Sequence, residues 1–128
     1  MYVDTNVVLF LAMGALERIP GRLRVALPRL PLLVSPMVAL ELQYLHEIGR
    51  LARPGLEVLD GVRLRLDMRV SEMPLTRVAA KASSLSWTRD PFDRLITAQA
   101  MADDLPLLTS DRRILANSPL AVWEGWGA

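Results

Sequence analysis

The chain of 128 residues has no cysteine. That absence excludes disulfide scaffolds, thiolate zinc sites and thiol nucleophiles, and it agrees with a reducing compartment. Histidine and lysine occur once each, as His46 and Lys81. Aromatic residues make up only 5% of a chain that is 52% hydrophobic, so its apolar content is mainly aliphatic. A mean hydropathy of +0.26 is high for so small a domain, and part of the surface is expected to meet a partner. Long apolar runs are missing too: no stretch reaches the ~20 residues that a membrane-spanning helix needs. The short run over residues 7–13 follows Asp4 and Asn6, where an export signal would carry positive charge. A soluble, cytoplasmic protein with no membrane partner is expected. Nor does charge of one sign dominate. Fifteen basic against fourteen acidic residues leave a net charge of +1, which excludes a strongly basic nucleic-acid binder by bulk charge and leaves local clusters open.

What is present is an alternation of short apolar strands and helical segments. Residues 1–3 read as a strand ending at Asp4, with Thr5 or Asn6 placed to cap a helix over 7–16. Prolines at 20, 28 and 31 predict a broken helix between turns. Residues 32–34 form a second strand, and Ser35-Pro36 supplies the cap-then-proline start of a helix reaching about residue 51. An amphipathic helix over 55–68, a strand over 69–73 and a Thr76-capped helix over 77–86 follow. Asp90-Pro91-Phe92-Asp93 opens a helix to about residue 103, with Asp90 at the cap. A strand over 105–109, a short helix capped by Ser110 or Asp111, and an edge strand over 121–123 complete the chain. No repeat or linker divides it, so residues 1–128 are expected to form one domain. This order predicts an α/β fold with a parallel sheet and helices on both faces, in which ligands bind beyond the carboxyl ends of the strands. Asp4 and Asp111 directly follow apolar strands, so both project at that rim.

Four of the fourteen acids are specially placed. Asp4 lies between apolar segments, where an unpaired carboxylate is costly to desolvate. Glu41 shares a helical face with Met37, Tyr44, Leu45 and Ile48. Asp93 sits in the first turn of its helix beside Ile96, Thr97 and Ala100. Asp111 precedes Arg112-Arg113. Singly, each has a structural explanation: a helix cap for Asp4 and Asp111, an arginine partner for Glu41, a dipole contact for Asp93. Together they are placed to converge at one sheet edge. Converging carboxylates repel one another unless a cation sits among them. An oxygen-only set favours a hard ion such as Mg²⁺ or Mn²⁺, which can activate water and stabilise charge on a phosphodiester. His46 lies off the face of Glu41 and reads as a surface residue.

Val3-Asp4-Thr5-Asn6, Glu41 on its apolar helix, the segment from Asp90 through Asp93-Arg94-Leu95-Ile96 to Ala100, and Leu108-Thr109-Ser110-Asp111 together resemble PIN-domain proteins, specifically VapC-type toxins of type II toxin-antitoxin systems. The resemblance spans nearly the whole chain. It implies a three-layer α/β/α domain with a central, mostly parallel sheet, and a Mg²⁺- or Mn²⁺-dependent endoribonuclease. It places the acidic quartet, catalytic and metal-binding, on Asp4, Glu41, Asp93 and Asp111. Asn6, Asp90 and Thr109 fall in supporting positions, and Arg94 and Arg112, sequence neighbours of the quartet, are candidate phosphate contacts, with pairing to an acid the equal alternative for Arg94. It further implies a homodimer, a VapB-like antitoxin and an RNA substrate. Residues 14–31 and the tail Trp123-Glu124-Gly125-Trp126 match none of its motifs. The rival classes are a non-catalytic module that binds RNA or protein, and a phosphotransfer receiver or phosphatase. The latter wants paired acids after the first strand or a lysine after a late one, whereas Lys81 lies mid-helix.

Overall fold

Five short strands form one sheet in the computed structural model, which describes residues 1–127. They are β1 (Tyr2–Val3), β2 (Leu32–Val34), β3 (Met68–Val70), β4 (Leu107–Leu108) and β5 (Ala121–Val122). Their order is β3-β2-β1-β4-β5 and every pairing is parallel. The expected α/β/α arrangement is therefore present, with the sheet parallel throughout. From β1 the chain builds outward through β2 to β3, then returns to the opposite side of β1 for β4 and β5. Right-handed crossovers place the helices before and after that reversal on opposite faces. The reversal leaves a crevice beyond the carboxyl ends of β1 and β4.

Among the described residues seven helices flank the strands: α1 (Thr5–Ala12), α2 (Gly21–Ala26), α3 (Pro36–Glu47), α4 (Gly55–Arg63), α5 (Leu75–Ala82), α6 (Pro91–Asp103) and α7 (Arg112–Asn117). The segment with three prolines is the broken helix its sequence predicts: α2 lies between 3₁₀ turns at Leu16–Arg18 and Leu27–Arg29. Several boundaries differ from expectation, among them the ends of α1 at Ala12, α4 at Arg63 and α5 at Ala82, each short of the expected residue 16, 68 or 86. Asp4, rather than Thr5 or Asn6, caps α1 by accepting from the Thr5 amide. α3 stops before Gly49, whose φ of +81° ends the helix. α5 begins at Leu75 behind Pro74, so Thr76 lies inside the helix and is not its cap.

The core joins Tyr2, Val3, Leu107 and Leu108 of the central strands to Val7 and Val8 of α1, Val38 and Leu42 of α3, and Ile96 of α6, each fully buried. A smaller cluster of Val78, Ala82, Leu85 and Ala98 seats α5 on α6. α4 packs tightly against α3 at Gly55. Its amide donates to Gln43 Oε1 at 2.9 Å, and a Cβ there would stand 2.7 Å from the Ala39 carbonyl oxygen. Near α6's far end, the Tyr2 hydroxyl donates to Asp103 Oδ2 at 2.6 Å. Burial and that carboxylate push the Tyr2 hydroxyl up to about 12. Strand β1 is thus pinned to α6 at a point remote along that helix from Asp93.

Candidate active site

Asp4, Glu41, Asp93 and Asp111 line one cleft of about 150 Å³, together with Thr5, Asn6, Leu9 and Leu45. The four acids come from four different segments. Asp4 leaves β1 and caps α1, Glu41 stands on α3, Asp93 occupies the first turn of α6, and Asp111 caps α7. The packing of α3 against α6 brings Glu41 and Asp93 to the same edge, helped by Tyr44 and Phe92, whose rings lie 5.9 Å apart.

Asp4 is the deepest, with only 4% of its surface exposed. Its Oδ1 accepts from the Thr5 amide at 2.8 Å and its Oδ2 from the Thr109 hydroxyl at 2.6 Å. Thr109 Oγ1 in turn accepts from the Asp111 amide at 3.0 Å. Asp111 Oδ1 caps α7 by accepting from the amides of Arg113 and Ile114 at 2.8 and 3.1 Å. The cap and the cleft positions of Asp4 and Asp111 are therefore compatible: one oxygen holds the helix, while the carboxylate remains on the cleft wall.

Among the described residues no basic side chain forms an ion pair with these acids. Among the described residues the ion pairs are Arg53–Glu57 and Arg63–Asp60, both at the surface. The arginine partner that would have explained Glu41 structurally is absent from the ion pairs of the described residues. Burial first, then the charges of Asp111 and Asp90, push Asp4 up to about 6 against its two hydrogen bonds. Burial and the charges of Asp4, Asp90 and Asp111 push Glu41 up to about 7. The nearby Thr5 hydroxyl offsets part of that rise without a formed hydrogen bond. Asp93 rises to about 7 through burial and then the charges of Asp90, Asp4, Asp111 and Glu41.

Among the described residues no three of these side chains are drawn into a single coordination shell. The acids line the cleft without closing on a common point. Their chemistry nevertheless fits a hard divalent cation: all donors are oxygens, the charge is uncompensated, and Asn6 Oδ1 and Thr5 Oγ1 are buried at the cleft without hydrogen-bond partners.

The remaining expected residues separate into two groups. Asn6 lines the cleft, Thr109 lies buried behind it on Asp4, and Asp90 acts on its electrostatics while accepting from the Phe92 and Asp93 amides at 2.9 and 3.3 Å. Arg94 faces away from the phosphate role expected of it. Its guanidinium donates to the carbonyls of Ala82, Thr88 and Ser83 at 2.8, 3.5 and 3.4 Å, tying α6 to the end of α5. Arg112 is exposed and lines a neighbouring groove instead of the cleft. His46 is half-buried rather than fully at the surface, its Nδ1–H donating to the Leu51 carbonyl at 2.8 Å. Sequence reasoning missed that groove. The signal was the unassigned pair Trp123 and Trp126, two of only three tryptophans in the chain.

A PIN domain family model matches residues 1–118. No curated relative matches the sequence. Among solved structures, VapBC2 from Rickettsia felis, bound to a DNA fragment from its promoter, is similar with a TM-score of 0.64 and 20% identity, covering 98% of this chain and 97% of that one. DNA-bound VapBC from Salmonella typhimurium gives a TM-score of 0.64 at 21% identity, covering 94% of this chain and 92% of that one. With the match extending from β1 through α7 and across all four acids, the chain belongs to the PIN-domain family.

Proposed function

We propose that the protein is a VapC-type endoribonuclease toxin that hydrolyses RNA phosphodiester bonds with Mg²⁺ or Mn²⁺ held by Asp4, Glu41, Asp93 and Asp111. The observation that carries this reading is the quartet itself: four acids from four elements around one cleft, with no protein cation among them. A divalent ion held by these carboxylates would supply the electrophile that lowers the pKa of water and neutralises charge on a phosphodiester. The chain's own part is positioning. Thr109 holds Asp4 and the Asp111 amide in one register, and the Thr5 amide fixes the other Asp4 oxygen. Near neutrality Glu41 and Asp93 exchange protons readily at their carboxylate oxygens, and a divalent ion held there would favour their ionised forms.

VapBC complexes among the similar structures support a VapB-like antitoxin as the protein partner. The aliphatic surface, including exposed Leu40, Tyr44 and Ile48 beside Glu41 on α3, suits such a partner and a homodimer. We place the activity in the cytoplasm, where RNA is found. The test is cleavage of total RNA by the purified protein with Mn²⁺ or Mg²⁺, with chelator, and with Asp93→Asn. Cleavage that needs the ion and is lost in the variant is expected. RNA binding without ion-dependent turnover would instead identify a non-catalytic module.

A further inference from the structure

Beside the acidic cleft lies a second and larger concavity. It is a groove of about 320 Å³ lined by Ser110, Arg112, Leu115, Trp123 and Trp126 among others, within the ~300–1,000 Å³ range of small-ligand sites. Two chain segments join it to the cleft. Asp111 is in the cleft wall while its neighbours Ser110 and Arg112 are in the groove wall. Likewise Leu9 lines the cleft while Phe10 meets Trp123, with ring centroids 6.3 Å apart. The groove and the cleft therefore adjoin along these two segments.

Its floor is held in place. The Arg18 guanidinium lies 4.9 Å over the Phe10 ring on which Trp123 packs, and Arg22 Nη1 donates to the Gly127 carbonyl at 2.6 Å. Trp123 and Trp126 are only half-buried. Arg112 is exposed and has no hydrogen-bond or ion-pair partner among the described residues. Glu124 and Arg112 are the charged residues of the groove lining, and Arg18 and Arg22 stand behind the tail.

Aromatic faces beside a free guanidinium, continuous with a phosphodiester site, match an unpaired nucleotide: the base stacks, and the adjoining phosphate meets the cation. We infer that the groove walled by Trp123, Trp126 and Arg112 binds the nucleotide next to the scissile phosphate of single-stranded RNA. This rests on the nuclease reading for its substrate, and it assigns that substrate an unpaired base at this position. Paired bases have no free face to stack, so duplex RNA is excluded from the groove. Stacking tolerates any base, so the groove selects strandedness more than sequence. Trp126 and Arg112 are positioning residues, acting on where the strand lies.

The experiment uses equilibrium binding of a short single-stranded RNA oligonucleotide to the full chain with Mg²⁺ in an Asp93→Asn background, read by tryptophan emission and by anisotropy of a labelled strand. Quenching on binding is expected. Trp126→Ala weakens binding roughly 5- to 150-fold, and Trp126→Phe restores most of it. Arg112→Gln weakens binding and lowers the slope of log affinity against log salt by about 1. In the active enzyme these changes raise KM and leave kcat in place. Unchanged affinity in both variants overturns the inference. So does equally tight binding of the corresponding duplex, or a change of subunit state by Trp126→Ala without RNA, which would make the groove a protein contact. Should Trp126→Ala fail to fold, Arg112→Gln, at an exposed side chain, decides the matter. Wild-type turnover separates the two proposals. Cleavage with unaltered binding in the variants removes the groove alone, and the binding pattern without wild-type cleavage removes the nuclease reading alone.

Discussion

Thr109 donates its hydroxyl to Asp4 Oδ2 at 2.6 Å, joining the end of β4 to the end of β1 at the floor of the acidic cleft. Both residues are buried, so no solvent replaces the bond if the hydroxyl is removed. Thr109→Val keeps the shape and deletes the donor, leaving one Asp4 oxygen unpaired and the Asp111 amide without its acceptor. The expected loss is about 1–3 kcal/mol, the cost of an orphaned buried polar group, read by urea denaturation. Thr109→Ser keeps the hydroxyl and is expected to retain most of the stability. RNA cleavage falls with Thr109→Val through misplacement of Asp4 and Asp111, and a Val variant as active as wild type would remove Thr109 from the site.

Metal-free stability has a defined dependence on pH. Asp4 titrates at about 6, and Glu41 and Asp93 at about 7, whereas unfolded carboxyls titrate near ~4. Between those limits the folded chain holds more protons than the unfolded chain, so the slope of stability against pH is negative. Stability is highest at or below about pH 4 as far as these groups are concerned, and falls as pH rises to about 7. A divalent ion bound only by the folded state reverses the loss, adding about 2.7 kcal/mol at a hundredfold excess over its dissociation constant. Melting curves with chelator and with Mg²⁺ are expected to coincide in acid and diverge above about pH 6. Parallel curves across that window would show that the quartet holds no ion.

The meeting of the four acids was legible because each stands at a point the local code marks. Asp4 and Asp111 follow apolar strands, and Asp93 follows a cap and a proline, so a parallel sheet delivers three of them to one edge. Glu41 depends on the packing of α3 against α6, a tertiary fact that periodicity alone does not contain. Helix ends were read less well. Asp4 took the cap because α1 starts directly at the strand end, leaving Thr5 and Asn6 inside the helix. The direction of Arg94 was not legible either. A guanidinium next to an acid of the cleft in sequence can also turn toward a packed neighbouring helix, and the carbonyls of Ala82 and Ser83 at the end of α5 claimed it.

Two glycines of α4 are expected to respond oppositely to alanine. At Gly55 an added Cβ collides with the backbone of α3, standing 2.7 Å from the Ala39 carbonyl oxygen and closer still to the Gln43 amide nitrogen. Neither atom can move without shifting that helix, which also carries Glu41. Gly55→Ala should cost about 1–3 kcal/mol and lower RNA cleavage with it. At Gly61 nothing stands within 4 Å of the new methyl. Gly61→Ala should therefore stabilise by about 0.5–1 kcal/mol through helix propensity alone. Thermal melting of both variants checks the pair, and destabilisation by Gly61→Ala would contradict the packing described for α4.

Arg94 and Arg112 each adjoin a quartet acid in sequence, yet their substitution is expected to differ in kind. Arg94 gives its guanidinium to three carbonyls, those of Ala82, Ser83 and Thr88. Ala82 and Thr88 are buried. Arg94→Gln takes the donor from the Ser83 and Thr88 carbonyls, leaves that of Ala82 only the Leu85 amide, and loosens α5 from α6, which should cost about 1–3 kcal/mol. Because the guanidinium is directed at backbone away from the cleft, the folded variant should bind single-stranded RNA with unchanged salt dependence. Arg112→Gln should do the reverse, leaving the melting temperature in place and flattening the salt dependence. Measuring both quantities on both variants tests the assignment: a flattened salt slope in Arg94→Gln would show that its guanidinium leaves the carbonyls to meet phosphate.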